Sequence, residues 1–189
     1  LADWIDNVAP NDNDEVALFN SITELFYIGL EEFKALYRTA YNGPISKWLI
    51  EDANIMLDDA EAGQKLQDAI SETWFCPISD SKRINSFYLV NNVPSGFDLR
   101  PDWRSLEQFG NIRTIRQYCT DNGIKRLVLL EDFVGGGSQM RSAINFSSQL
   151  KDELSIFILP LVICPEGHKA TKRLANSLGV KYSPVLLLE

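Results

Sequence analysis

The sequence predicts an α/β fold, a doubly wound, mainly parallel sheet preceded by an all-helical block. Three observations lead there. The runs Arg126 to Glu131 and Ser155 to Cys164 are continuously apolar or nearly so, as strands covered on both faces are. Helical patterns separate these runs, which is the grammar of a sheet wound with helices. The first 75 residues show only helical periodicity, so a helical block is drawn over residues 1–75 and an α/β domain over residues 76–189.

Taken in order, Asp12 and Glu15 have the spacing of a capping box, and Val16, Phe19, Ile22 and Phe26 then recur at helical intervals. A second amphipathic helix is expected from Glu31 to Tyr41, with Phe33, Leu36, Tyr37 and Ala40 on one face. Asn42-Gly43-Pro44 breaks it, and Pro44 is set to open the next helix ahead of Trp48 and Leu49. A further helix is expected from Ala60 to Phe75. Ser86 to Asn91 then reads as a strand, Arg104 to Thr120 as a helix and Arg126 to Glu131 as a buried strand. Ser138 to Leu150 is helical, Ser155 to Cys164 a second apolar strand, Lys169 to Leu178 helical, and Pro184 to Leu188 a last strand. The chain opens on Leu1 and closes on that apolar run, the pattern expected of a piece of a longer chain.

Composition removes several classes of function. With 189 residues, 45% hydrophobic and 23% charged, the chain matches globular proteins rather than disordered, collagenous or disulfide-dense ones. Eighteen basic against 26 acidic residues give a net charge of −8, and no basic block stands ready to neutralise a phosphate backbone. Direct nucleic-acid binding is therefore not expected. Cys76, Cys119 and Cys164 are odd in number and form no C-x-x-C pair, which points to a reducing, cytoplasmic setting without a zinc knuckle. The longest apolar run, Ile156 to Cys164, contains Pro160 and is too short for a bilayer, and no signal peptide opens the chain.

Ligands of doubly wound sheets collect at the carboxyl ends of the strands. The loop after the best strand is Glu131-Asp132-Phe133-Val134-Gly135-Gly136-Gly137-Ser138-Gln139. Three glycines ahead of a helix let backbone amides approach an anion, and the helix dipole adds positive character there. No Lys follows, so the loop is not a Walker A loop, and Met140 stands where a G-x-G-x-x-G fingerprint needs its last glycine. Two acids beside the cradle would repel a bare polyphosphate but suit the hydroxyls of a sugar whose 5′-phosphate enters the loop.

Four apolar residues (127–130), two acids (Glu131, Asp132), two apolar residues (Phe133, Val134) and a glycine-rich loop resemble the ribose-phosphate signature of type I phosphoribosyltransferases. The resemblance implies that Gly135, Gly136, Gly137, Ser138 and Gln139 bind the 5′-phosphate of phosphoribosyl pyrophosphate. It gives Glu131 and Asp132 the ribose hydroxyls and the stabilisation of charge at the anomeric carbon. Glu131 replaces the usual Asp, and Gly135, Gly136 and Gln139 replace the usual threonines, leaving Ser138 as the loop's hydroxyl. The layout as a whole looks most like the phosphoribosyltransferase-like domains of bacterial conflict and anti-phage systems, which implies protein partners from a defence locus.

Type I enzymes also carry an early loop for the pyrophosphate. Ser79-Asp80-Ser81-Lys82-Arg83, expected ahead of the first sheet strand, is similar to it. Ser81, Lys82 and Arg83 would hold the leaving group, and Asp80 would touch its Mg²⁺. Phosphoribosyl transfer is the expected activity, and a non-catalytic sensor of a phosphosugar or nucleotide, or an interaction module in a bacterial defence system, is the alternative. Arg141, one turn into the next helix, His168 after the second apolar strand, and Asp98, Arg100 and Asp102 are further polar residues near the expected edge, with ordinary surface roles as their simplest reading.

Overall fold

A computed structural model describes residues 11–22, 25–79, 84–93 and 112–189. Contacts divide the chain after Phe33, residues 34–189 forming the larger unit. In the first unit, helix α1 (Asp12–Ser21) is capped by Asn11, whose side-chain oxygen accepts from the amides of Asn13 and Asp14 at 3.1 Å. The cap thus falls one residue ahead of the Asp12 capping box. Asn is as good a cap as Asp, and its extended backbone brings the carboxamide over the first turn.

Helix α2 (Leu30–Ala40) does not stop at Asn42-Gly43-Pro44 but continues through a π-helical turn, Tyr41–Ile45, into α3 (Ser46–Asp52). Proline lacks an N–H and its ring clashes with the carbonyl four residues back. The wider turn absorbs both faults, with Ser46 Oγ donating to the Tyr41 carbonyl at 2.6 Å. Ala40, Ile45 and Leu49 are fully buried and hold the helix on course. Helix α4 (Ala62–Ser71) follows.

The sheet consists of β1 (Thr73–Pro77), β2 (Arg126–Val134), β3 (Ser155–Ile163) and the short β4 (Lys181–Tyr182) and β5 (Leu186–Leu187). Its order is β1-β2-β3-β4, β5 also pairs with β3, and every pairing is parallel. The connections contain α5 (Ile84–Asn91), α6 (Ile112–Asp121), α7 (Ser138–Ser147) with a 3-10 turn at Ser148–Leu150, and α8 (Pro165–Leu178). The expected α/β class and parallel sheet are present.

Two expectations reverse. The helix expected to reach Phe75 ends at Ser71, where Thr73 Oγ1 donates to the Ala69 carbonyl at 2.6 Å, and residues 73–77 form β1. Ser86 to Asn91, expected as a strand, lies in α5. A short apolar run has no period of its own. Here a helix buries Phe87 and Tyr88 against Phe75, at ring separations of 5.4 and 6.0 Å, and leaves Leu89 exposed.

Strand alternation assigns the two faces of the sheet. Trp74, Cys76, Leu127, Leu129, Ile156 and Ile158 share one core with Ile115 of α6, Met140 and Ile144 of α7 and Ala175 of α8. On the other face Phe75 meets Tyr41 and α5, while Phe157 meets Trp48 of α3 at 5.2 Å. At the amino end of β2, Arg126 is buried, with Nε 2.6 Å from Asp52 of α3 and Nη1 3.2 Å from Glu72.

Pro160 sits inside β3 although proline cannot donate to a ladder. Its carbonyl accepts from Val185 N–H at 3.0 Å, and opposite it the last strand is interrupted, β4 pairing at Phe157 and Ile158 and β5 at Val162 and Ile163. The strand expected over Pro184 to Leu188 is thereby reduced to Leu186–Leu187.

Candidate functional site

Strand β2 outruns β1. The β1 register ends at Pro77 opposite Leu130, with Ile78 N–H donating to the Leu130 carbonyl at 2.9 Å, whereas β2 continues along β3 through Val134. Glu131 therefore stands at the carboxyl edge. It is only 3% exposed, and its Oε1 accepts from Ser79 Oγ at 2.7 Å and from the Asp132 amide at 3.3 Å. Glu131, Phe133 and the loop from Gly135 to Met140 line one cavity of about 170 Å³. Asp132, half-buried and on the opposite face by alternation, is not among the lining residues.

The glycine loop is shaped by its neighbours. Gly137 has φ of 84°, a left-handed conformation that glycine adopts without a steric penalty, and it caps α7. Within that helix Arg141 N–H is the first donor to find a carbonyl, that of Gly137 at 3.0 Å. The amides of Ser138, Gln139 and Met140 thus have no acceptor inside the helix, and they carry the positive end of its dipole. Ser138 and Gln139 are exposed, while Met140 is fully buried and anchors the first turn.

Under the loop lies the amino end of α8. Cys164, its extended cap residue, donates its amide to the Val134 carbonyl at 2.9 Å. A Cβ on Gly167 would overlap the Gly135 carbonyl oxygen and lie 3.2 Å from the Gly135 carbonyl carbon and from Val134 Cγ1. A Cβ on Gly137 would meet Gly167 Cα at 3.5 Å. Loop and helix are packed backbone on backbone.

Buried Glu131 and the glycine loop thus line one cavity, and the PRTase-CE family model matches residues 1–189. The chain belongs to the PRTase-CE family. It is a phosphoribosyltransferase-like domain. No curated protein and no solved structure matches it. No described helix is long and apolar enough to cross a membrane.

The other expected residues of this PRTase-CE domain fall into two groups. Asp80, Ser81, Lys82 and Arg83 lie outside the described residues, as do Asp98, Arg100 and Asp102. Their neighbour Ser79 corrects the position of the early loop, which follows the first strand rather than preceding it and so starts at the carboxyl edge beside Glu131. His168 and Arg141 are placed away from the cavity lining. His168 Nδ1 lies 2.9 Å from the Tyr182 hydroxyl, joining α8 to β4, and burial pushes the Tyr182 hydroxyl up to about 12. Arg141 is exposed.

Two contacts were not assigned from the sequence, although Ser79 itself was placed in the early loop. Ser79 reaches Glu131 from 52 residues away, and nothing local signals that contact. Gly167 did leave a signal: a glycine in a helix's first turn sacrifices stability relative to Ala, which marks a close backbone approach. Among the described residues no group of three or more His, Cys, Asp or Glu side chains comes together to hold a metal.

Proposed function

We propose that this PRTase-CE domain binds phosphoribosyl pyrophosphate, or a related nucleotide 5′-phosphate, and transfers the phosphoribosyl group with release of pyrophosphate. The observation that carries the reading is the single cavity lined by both buried Glu131 and the helix-opening loop Gly135 to Gln139. The 5′-phosphate occupies the amides of the loop, where the converging N–H groups and the dipole of α7 favour an anion. Glu131 accepts from ribose hydroxyls, and Ser79 keeps its carboxylate turned toward them. Asp132 takes the second acidic role of the motif.

In the transfer, the acceptor's lone pair forms the new bond to the anomeric carbon while the carbon–oxygen bond to pyrophosphate breaks and its electron pair leaves with that group. The sugar passes through a state with positive charge on the ring, which the fixed negative charge of Glu131 stabilises without a covalent intermediate. Lys82 and Arg83, with Ser81, are assigned to the departing pyrophosphate. Mg²⁺ is held by one or two carboxylates supplemented by substrate phosphate oxygens, and Asp80 is the residue that would hold it. The ion would supply charge neutralisation on the leaving group. The three free thiols fit a reducing, cytoplasmic setting.

A second reading, a sensor that binds the same ligand without turnover and signals to protein partners of a defence locus, is favoured by the loop's single hydroxyl, Ser138. Incubation with phosphoribosyl pyrophosphate, Mg²⁺ and a panel of nucleobases decides between them. Transferase activity releases pyrophosphate and is lost in Glu131→Gln and Asp132→Asn. Ligand-induced thermal stabilisation without release supports the sensor. Neither release nor stabilisation refutes both.

A further inference from the structure

The net charge of the chain comes from one end. The first 33 residues contain eight acids and no Lys or Arg, so they carry the whole net charge of −8, and the remaining residues balance at 18 acids against 18 bases. The same residues separate from the rest as a unit of their own. Within them Val16, Phe19, Leu25, Phe26, Tyr27 and Leu30 are each more than half exposed, Tyr27 reaching 86%. Single exposed apolar residues are ordinary, but six of this size between Val16 and Leu30 are an unusual concentration along the chain. Val16 and Phe19 lie three apart in α1 and so on one helical face. Acids flank them, Asp14 and Glu15 before Val16, and Glu31 and Glu32 after Leu30.

We propose that residues 11–33 are a docking segment for another protein, one that offers an apolar groove rimmed by Lys and Arg. Charge selects this occupant. Nucleic acid and anionic lipid share the segment's sign and are repelled. A second copy of the chain brings the same acidic segment, which repels its like. A basic-rimmed groove is steered toward the acids at long range and then covers the aromatic anchors. A ten-residue helix is too short to hold by itself in water, so burial of Val16 and Phe19 in that groove also stabilises α1.

The test places a photo-crosslinking phenylalanine analogue at Phe19 of the full chain in its native cell and maps the cross-linked peptide. The purified protein so identified is then titrated against wild type, Phe19→Ser with Phe26→Ser, and Glu31→Lys with Glu32→Lys. The expected peptide comes from a different protein and is apolar with flanking Lys and Arg. Both double variants bind at least about tenfold more weakly, raising salt from about 50 to about 300 mM weakens the wild type as the charges are screened, and the midpoint of the main unfolding transition is unchanged. Absence of a cross-link, cross-links confined to this chain or a second copy, a partner peptide without basic residues, pelleting of the protein with phosphatidylserine vesicles, or equal binding by the serine variant overturns the proposal.

Discussion

Replacing Gly167 with Ala tests whether the anion cradle is held from below. The new methyl group would overlap the Gly135 carbonyl oxygen and crowd the Gly135 carbonyl carbon and Val134 Cγ1 at 3.2 Å. Helix α8 cannot retreat, because Thr171 and Ala175 are buried on its inner side and its cap is bonded to Val134. Gly136, exposed at the crest of the loop, can move. Restoring an ordinary carbon contact of about 3.5 Å requires the loop to shift by on the order of 1 Å. Overpacking of this kind costs about 1–3 kcal/mol, and the better helix propensity of Ala returns up to about 1 kcal/mol. The net loss of about 0–3 kcal/mol lowers the melting temperature by no more than about 12 °C in a unit of this size. A displacement of that length in a positioned group, by contrast, reduces function on the order of 100-fold. Urea unfolding and calorimetric titration with phosphoribosyl pyrophosphate and Mg²⁺, run side by side, should therefore show a nearly normal fold with a crippled ligand site. A variant that binds within about twofold of wild type, against the expected order of 100-fold, refutes the brace.

The remaining expectations concern stability. Gly63→Ala, in α4 with no atom within 4 Å of the added Cβ, should raise stability by about 0.5–1 kcal/mol in the same urea assay. Asp52→Ala removes the 2.6 Å partner of buried Arg126 and should cost about 1.5–3 kcal/mol, read as a lower urea midpoint with unchanged slope. Burial lifts Cys119 from 9.0 to about 11 and Tyr182 from 10.0 to about 12, so folding favours their protonated, neutral forms. Their contribution is complete below pH 9 and is lost as pH climbs through 11 and then 12, because the unfolded chain releases those protons first. Urea midpoints measured over that range should fall, and Cys119→Ala and Tyr182→Phe should each remove their own part of the fall.

The legible parts of this fold were those in which one physical signal acts alone. Arg126 to Glu131 and Ser155 to Cys164 are long apolar runs with no competing period, and both are strands. Thr73–Pro77 was hidden because it follows α4 after a single residue, with no glycine or proline to mark the change. Its identity as a strand comes from pairing with β2, more than fifty residues downstream. The run at Ser86 to Asn91 had apolar content without period, and Phe75 across the interface decided its form. At the candidate site, the placement of the glycine loop and Glu131 at the end of a buried strand and the start of a helix could be read from local pattern. Gly167 and Ser79 act through contacts that only the folded chain creates.

The gap facing Pro160 bears on how copies of this domain coexist at high concentration. Among the described residues, the outermost ribbon of the sheet is two dipeptides, Lys181–Tyr182 and Leu186–Leu187, and the second of these leaves both leucines exposed. An unbroken border of that composition would be a template for fibril growth. Split opposite Pro160, that ribbon offers a neighbour's backbone only two short ladders instead of one continuous one.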